Sequence, residues 1–345
     1  MEFDRNQTEF RDCLQERAWE LATRQVPLAL TQPFIPDALQ PACSDWYHFS
    51  RNLFADMYEN PARFGFEVDA AQPDWMNRKQ VDFYFWMVGG ADSPSYEMTA
   101  AQYKKMLKKF NPKSVEALQQ YHGFRYKAQG DGFLVSNALY PNMFLATKAT
   151  TDFGNAKYKV NRGHFMMYCD FRVFEGYKRG YEDLLLVFSD ERRQIAEEIH
   201  QYSVSRKILP QKCSYFFRVE YKHKGKLVFV TNAKDRNQFV IKIGFAEIGG
   251  KAFQRMAEEI EKDADAAEWQ AFLCRHITKC QNCKQKCRNK ENPVTLFGKK
   301  MIVCDASIRA LDPKGDALKY VLKTIALRAM VIQEGISDLF YPGSG

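Results

Sequence analysis

Four cysteines near the C-terminal end of the sequence have the types and spacing of metal ligands. Cys280, Cys283 and Cys287 form a Cys-x2-Cys-x3-Cys motif, and Cys304 follows after sixteen intervening residues. Structural zinc sites use four thiolate or imidazole ligands in a tetrahedron, with zinc–sulfur distances of about 2.3 Å. Two cysteines separated by two residues can reach one ion from a tight turn, and Cys287 follows about one helical turn after Cys283. The spacing therefore predicts a structural zinc site with these four metal ligands.

Other chemistry fits the same cysteines. An iron–sulfur cluster also combines closely spaced cysteines with a remote fourth, although the recognised cluster motifs have different spacings. A disulfide or free thiols are further alternatives. His276 precedes Cys280 by four residues, and if both lie on one helix end His276 could replace a cysteine ligand. We expect zinc as the cofactor, with the iron–sulfur cluster as the second hypothesis.

The cysteine motif lies in the most basic part of the chain. Residues 275–300 contain eight Lys or Arg residues and one acid, Glu291, an excess of seven positive charges against +8 for the whole chain. These cations could simply offset the charge of the thiolates and favour metal binding. They could also form a patch for phosphate or nucleic acid. Nucleic-acid association through 275–300 is therefore the alternative function.

A second candidate site lies on the segment from His164 to Val173. If this segment is a strand, alternation places His164, Tyr168, Asp170 and Arg172 on one face and apolar side chains on the other. Arg172 would then hold an anionic ligand that the other three side chains orient. The simpler interpretation is an exposed strand face with Asp170 and Arg172 as a neighbouring ion pair.

The elements around the cysteines predict how they meet. A three-stranded meander over 215–245 leads to a long helix over 251–279, which delivers the chain to Cys280. Apolar runs on both sides of Gly298 predict a hairpin that returns Cys304 to the other cysteines. A final helix begins after Asp312-Pro313. The zinc knuckle and hairpin would therefore lie between two long helices.

The N-terminal half predicts helices and short strands. We expect helices over 8–24 and from Ser44 to Glu59, and Thr99 and Gln102 form the capping-box pattern that opens another helix. A further helix is predicted over 190–202, with His200 on its solvated or flanking side. Strands are predicted at 124–127, 133–138 and 143–148. The fold class is α+β, with mainly antiparallel sheets covered by helices, in an N-terminal domain over 1–207 and a C-terminal domain over 208–345.

Several classes of protein are disfavoured by the sequence. It has no run of about 18 apolar residues, so no membrane span is expected, and its acidic N-terminus does not predict a signal peptide. No nucleotide-binding, hydrolase or metalloprotease motif occurs, so no catalytic residue is assigned. We expect a cytoplasmic protein with a structural zinc site and a face that binds a small anion or another small molecule.

Overall fold

The computed structural model shows an α+β protein with antiparallel sheets and helices. It divides into two compact units, Met1–Lys178 and Arg179–Gly345, whereas the sequence placed the boundary at 207. In the part of the chain that is described, no helix is long and apolar enough to cross a membrane. The structure describes residues 3–7, 9–11, 13–65, 95–109, 112–157, 168–176, 179–211, 217–244, 250–279, 294–301 and 303–336.

The first unit is built around the helix over Gln40–Glu59, which packs against the helix over Cys13–Arg24. The buried residues of this helix are mainly apolar, and three of them are aromatic: Ala42, Cys43, Trp46, Phe49, Ser50, Leu53, Phe54 and Met57. The helix begins earlier than the predicted Ser44, because Pro41 can occupy the first turn, where its missing N–H removes no hydrogen bond. It ends before Asn60-Pro61, as predicted. The α-helices described in this unit are α1 (Cys13–Arg24), α2 (Leu28–Thr31), α3 (Gln40–Glu59), α4 (Ala100–Lys109), α5 (Pro112–Tyr121) and α6 (Met143–Lys157).

The sheet of the first unit contains the predicted hairpin. Its order is β1-β3-β2, for β1 (Ser95–Thr99), β2 (Phe124–Gln129) and β3 (Gly132–Asn137). Gly132 is needed where β3 meets β1, because a Cβ atom there would lie 2.4 Å from the carbonyl oxygen of Met98. The predicted capping box is confirmed: the Thr99 N–H donates to Gln102 Oε1 at 2.8 Å, and the Gln102 N–H donates to Thr99 Oγ1 at 3.1 Å.

The strand predicted over 143–148 is wrong. The segment from Met143 to Lys148 lies in α6. The buried side chains of Met143, Phe144 and Ala146 fit a helix facing α3 as well as they fit a buried strand. A short apolar run does not distinguish the two structures by its periodicity.

The second unit is organised around a sheet of order β4-β5-β6-β7-β11-β8. The predicted meander is confirmed as β5, β6 and β7, and the β5–β6 turn places Lys224 and Gly225 at positive φ, as a two-residue hairpin turn requires. A separate two-stranded hairpin, β9–β10, confirms the one predicted around Gly298. The strands are β4 (Leu209–Gln211), β5 (Arg218–His223), β6 (Lys226–Ala233), β7 (Phe239–Gly244), β8 (Ile277–Lys279), β9 (Val294–Leu296), β10 (Lys299–Met301) and β11 (Val303–Leu311).

The helices of the second unit correct the predicted long helix over 251–279. It is two helices, α9 and α10, separated by the turn at 262–265, and the chain continues from His276 directly into β8. The final helix α11 packs against α9, α10, β5 and β6. The α-helices within the described part of this unit are α7 (Tyr181–Leu185), α8 (Asp190–Ser205), α9 (Lys251–Glu261), α10 (Ala266–His276) and α11 (Asp316–Gln333).

Candidate functional site

The strands β8 and β11 bring together the two ends of the cysteine-rich segment. Val303 of β11 pairs with Lys279 of β8 in antiparallel register. Cys304 follows Val303 and Cys280 follows Lys279, so chain connectivity alone places these two cysteines at the same end of the strand pair. Cys280, Cys283 and Cys287 themselves lie outside the described residues.

The β8–β11 pairing is irregular next to Cys304. The paired positions advance by two residues from Ile277 to Lys279 on β8, but by five from Ile308 back to Val303 on β11, so the register shifts between the two paired residues of β11. Cys304 belongs to the stretch of β11 within this shift. Irregular strand pairing of this kind often adjoins a functional site.

His276 does not occupy the position expected of an alternative ligand. The helix α10 ends at His276, and the extended residues of β8 separate it from Cys280, so the two residues are not one helical turn apart. Nδ1 of His276 lies 3.1 Å from the carbonyl oxygen of Arg309, and its ring contacts Phe272. Within the described ranges no group of three or more His, Cys, Asp or Glu side chains could hold a metal ion. The zinc site therefore remains a prediction that concerns mainly residues outside those ranges.

The second predicted site has a different structure from the expected strand. Phe171–Glu175 is a 3-10 helix, so the alternation over 164–173 is wrong wherever the structure describes this segment. His164 lies outside the described residues. Tyr168 is buried, and its carbonyl oxygen accepts a 2.8 Å hydrogen bond from the N–H of Val26.

Asp170 and Arg172 form a buried bidentate ion pair. Arg172 Nε donates to Asp170 Oδ1 at 2.7 Å, and Nη2 donates to Oδ2 at 3.0 Å. The side chains are 5% and 8% exposed, respectively. The predicted neighbouring pair is present, but it is buried rather than exposed. Because Asp170 already balances the guanidinium charge, this geometry gives little support to an anion site, and ligand binding here stays a prediction.

His200 was expected on a solvated helix side but is half-buried against two tyrosines. Its ring stacks on Tyr181, with centroids 3.7 Å apart and planes 8° apart, and its Nδ1 lies 3.0 Å from Tyr221 Oη. Burial lowers the pKa of His200, and the carboxylate of Glu182 opposes this effect. These contacts join α7 and α8 to β5, which is a sufficient structural role.

The sequence interpretation missed a cluster of lysines that the sheet register brings to one end of the second unit. This basic sheet end is defined here by the residues Lys207, Lys222, Lys224, Lys226, Lys279 and Lys300. Lys222 pairs with Leu209 at the start of β4, and the β5–β6 turn carries Lys224 between Lys222 and Lys226. The same end of the sheet contains the last residue of β8, Lys279, which pairs with the first residue of β11.

The remaining lysines join this end through short connections. Lys300 lies on β10, three residues before the start of β11. The carbonyl oxygen of Lys207 lies 3.1 Å from His223 Nδ1 at the end of β5. The dense Lys222-His-Lys-Gly-Lys226 turn was visible in the sequence, but its nearness to 275–300 depends on strand order.

Comparisons of the chain with protein-family models, with curated proteins and with solved structures give no match.

Proposed function

We propose that the chain is a nucleic-acid-associated protein whose C-terminal unit is held together by a structural zinc ion. Cys280, Cys283, Cys287 and Cys304 would hold the metal, and four thiolates are a suitable donor set for zinc. The observation that carries this proposal is the pairing of Val303 with Lys279, which brings the strand of Cys304 beside the residue that precedes Cys280.

A metal at this position would supply folding free energy rather than a reaction centre. When bound, zinc cross-links the segment between β8 and β11, and structural zinc sites contribute on the order of 10 kcal/mol to folding. With four cysteine ligands no coordination position is left for a substrate. The cross-link would fix the basic segment 275–300 in one conformation, and its lysines and arginines would then contact phosphates of a nucleic acid.

The alternative small-anion function at Tyr168, Asp170 and Arg172 has weaker support. Its central cation, Arg172, is buried and bonded twice to Asp170. An incoming anion would compete with that carboxylate for the guanidinium, and breaking a buried ion pair is costly.

Metal analysis of two cysteine variants tests the zinc proposal. Cys304→Ser removes a predicted ligand, whereas Cys274→Ser removes a free, half-buried thiol of α10 outside the predicted set. We expect about one zinc per chain in the wild-type protein and in Cys274→Ser, and loss of zinc in Cys304→Ser. Full zinc content in Cys304→Ser would exclude this ligand set, and visible absorption by the wild-type protein would indicate an iron–sulfur cluster instead.

A gel-shift titration tests the nucleic-acid proposal. A labelled DNA duplex of mixed sequence should bind at low salt, and the logarithm of the binding constant should fall linearly with the logarithm of the salt concentration. Absence of binding at the lowest salt concentration would exclude the function, whatever the metal content.

A further inference from the structure

We propose that the basic sheet end is the docking surface for a nucleic-acid backbone, which extends the contact surface well beyond 275–300. This inference rests on the proposed nucleic-acid association and identifies the surface of the protein that would contact the nucleic acid. The additional residues are Lys207, Lys222, Lys224 and Lys226. The linear sequence separates them from the cysteine-rich segment, and the antiparallel register places them at the same end of the sheet.

The charge at this end is exposed and largely unbalanced. Lys207, Lys224, Lys226 and Lys300 are exposed. Among the residues that the structure describes, no carboxylate forms an ion pair with any of these four. Lys222 has a partner, Glu220, at the longer distance of 3.9 Å. The surface therefore carries several positive charges that a polyanion could neutralise.

The opposite end of the same sheet shows a different charge pattern. There Arg192 Nε donates to Asp312 Oδ1 at 3.0 Å, and Lys314 forms an ion pair with Glu191. Asp312 Oδ1 also accepts a 2.9 Å hydrogen bond from the N–H of Phe239. These two cations, Arg192 and Lys314, each have an acidic partner within the protein. The two ends therefore differ in charge balance although both consist of turns and strand termini.

The dimensions of the surface fit an extended chain of phosphates. Neighbouring strands lie about 4.8 Å apart, so the five steps from β4 to β8 span roughly 24 Å. Lys207 precedes β4 at one margin, Lys279 is the last residue of β8 at the other, and the β5–β6 turn lies between them. By backbone position, successive phosphates could therefore meet lysines from different parts of the sheet.

The composition of the surface favours phosphate contacts over other anionic partners. The β5–β6 turn presents Lys224 and Gly225, with no apolar side chain to enter a lipid surface. Phe297 at the tip of the β9–β10 hairpin packs against Phe253. Leu209 is exposed at the sheet edge, but one leucine is a small apolar contribution. With no exposed aromatic ring in these two turns to stack on bases, we expect binding through the backbone, with little preference for sequence.

Charge-reversal variants of the full chain test this surface. The probe is a fluorescein-labelled DNA duplex of mixed sequence, and its dissociation constant is measured by anisotropy over a series of salt concentrations. The double variant Lys224→Glu/Lys226→Glu should weaken binding on the order of tenfold or more and lower the salt slope by about one for each lysine. The control Lys234→Glu, in the turn at the opposite end of the sheet, should bind as the wild-type protein does.

A second double variant separates this inference from the proposed function. Lys299→Glu/Lys300→Glu alters only the part of the basic sheet end that belongs to segment 275–300. If this variant loses affinity while Lys224→Glu/Lys226→Glu binds normally, the extension of the docking surface to the β5–β6 turn is wrong and the proposed function survives. If the wild-type protein does not bind the duplex at all, or binds only anionic phospholipid vesicles, both are wrong. Should circular dichroism show that a charge-reversal variant is unfolded, Lys224→Gln/Lys226→Gln provides the same comparison with a smaller expected loss.

Discussion

Charged residues serve opposite purposes in the Asp170–Arg172 pair of the first unit and the basic sheet end of the second. Asp170 and Arg172 are nearly inaccessible to water and bond to each other twice. Lys224 and Lys226 are exposed and have no carboxylate partner among the described residues. The cost of removing a charge from water explains the first arrangement, because a buried ion requires a partner. No such requirement acts on the exposed lysines, so their clustering contributes little to folding.

The difference gives a way to separate structural charges from binding charges. Breaking a buried ion pair should lower the free energy of unfolding and should have little effect on the affinity for a ligand that cannot reach the pair. Substituting an exposed cluster of charges should lower the affinity for a ligand and leave the free energy of unfolding nearly unchanged. Substitutions in the two regions should therefore show opposite effects on stability and on affinity.

Breaking the buried pair should produce the largest loss of stability. Arg172→Ala leaves the carboxylate of Asp170 buried without its guanidinium, and we expect the free energy of unfolding to fall by about 3–5 kcal/mol. Urea unfolding measures this loss. The double variant Asp170→Leu/Arg172→Met removes both charges and should be more stable than Arg172→Ala. The exposed Lys127→Ala in β2 should change stability by no more than about 0.5 kcal/mol.

The opposite result for Arg172 would restore the anion-site hypothesis. That hypothesis predicts that Arg172→Ala keeps the fold and loses binding of a small anion. A normally stable Arg172→Ala protein would therefore show that the buried pair is not structural and would return attention to Tyr168, Asp170 and Arg172 as a site.

A smaller and pH-dependent loss is expected at Asp56 in the first unit. Asp56 Oδ2 lies 3.0 Å from His122 Nε2, and Arg63 Nη1 lies 2.7 Å from Asp56 Oδ1. Burial by itself would raise the pKa of Asp56, but hydrogen bonds with His122 and Asn60 outweigh it and lower the pKa below its ordinary value. The stabilisation is therefore fully present above the unfolded-state pKa of about 3.9 and is lost as pH falls through the lower folded-state value.

Asp56→Asn tests this dependence by urea unfolding over a pH series. At neutral pH the variant should lose about 1–3 kcal/mol, because an amide replaces a hydrogen-bonded carboxylate. Below pH 4 it should lose less stability than the wild-type protein as pH falls. The exposed Asp131→Asn in the β2–β3 turn is the matched control and should follow the wild-type curve. If the free energy of unfolding of Asp56→Asn falls with decreasing pH as steeply as that of the wild-type protein, the Asp56 interactions do not contribute to acid sensitivity.

Local sequence signals predicted those elements whose structure depends on nearby residues. The capping box of Thr99 and Gln102 and a turn within Lys222–Lys226 were predicted because a few adjacent side chains specify them, and the structure narrows that turn to Lys224-Gly225. The segments at 143–148 and 168–173 were wrong for a related reason. Their short apolar runs fit a strand, a helix or a 3-10 turn, and tertiary packing selects among these.

The candidate sites show the same limit. The cysteine spacing predicts a metal site because the cysteines lie close together in sequence. At the second site, the sequence identified Arg172 as a cation that could contact a bound anion. The burial of Arg172 against Asp170 could not be inferred from strand alternation, because the segment is not a strand. The basic sheet end depends on pairings such as Leu209 with Lys222 and Val303 with Lys279, which join distant parts of the chain. Strand order has no local signal of this kind.

The smallest effect on stability is expected at the basic sheet end, where the effect on binding should be largest. Lys224→Glu/Lys226→Glu breaks no ion pair with a described residue, and mutual repulsion of nearby lysines opposes folding slightly. We therefore expect the free energy of unfolding to change by no more than about 0.5 kcal/mol, measured by urea unfolding beside Lys234→Glu. A loss comparable to that of Arg172→Ala would mean that the turn lysines stabilise the fold, and lost DNA affinity could then reflect unfolding. Unchanged stability with lost affinity would assign these charges to an external partner, since removing them would have cost the folded chain nothing.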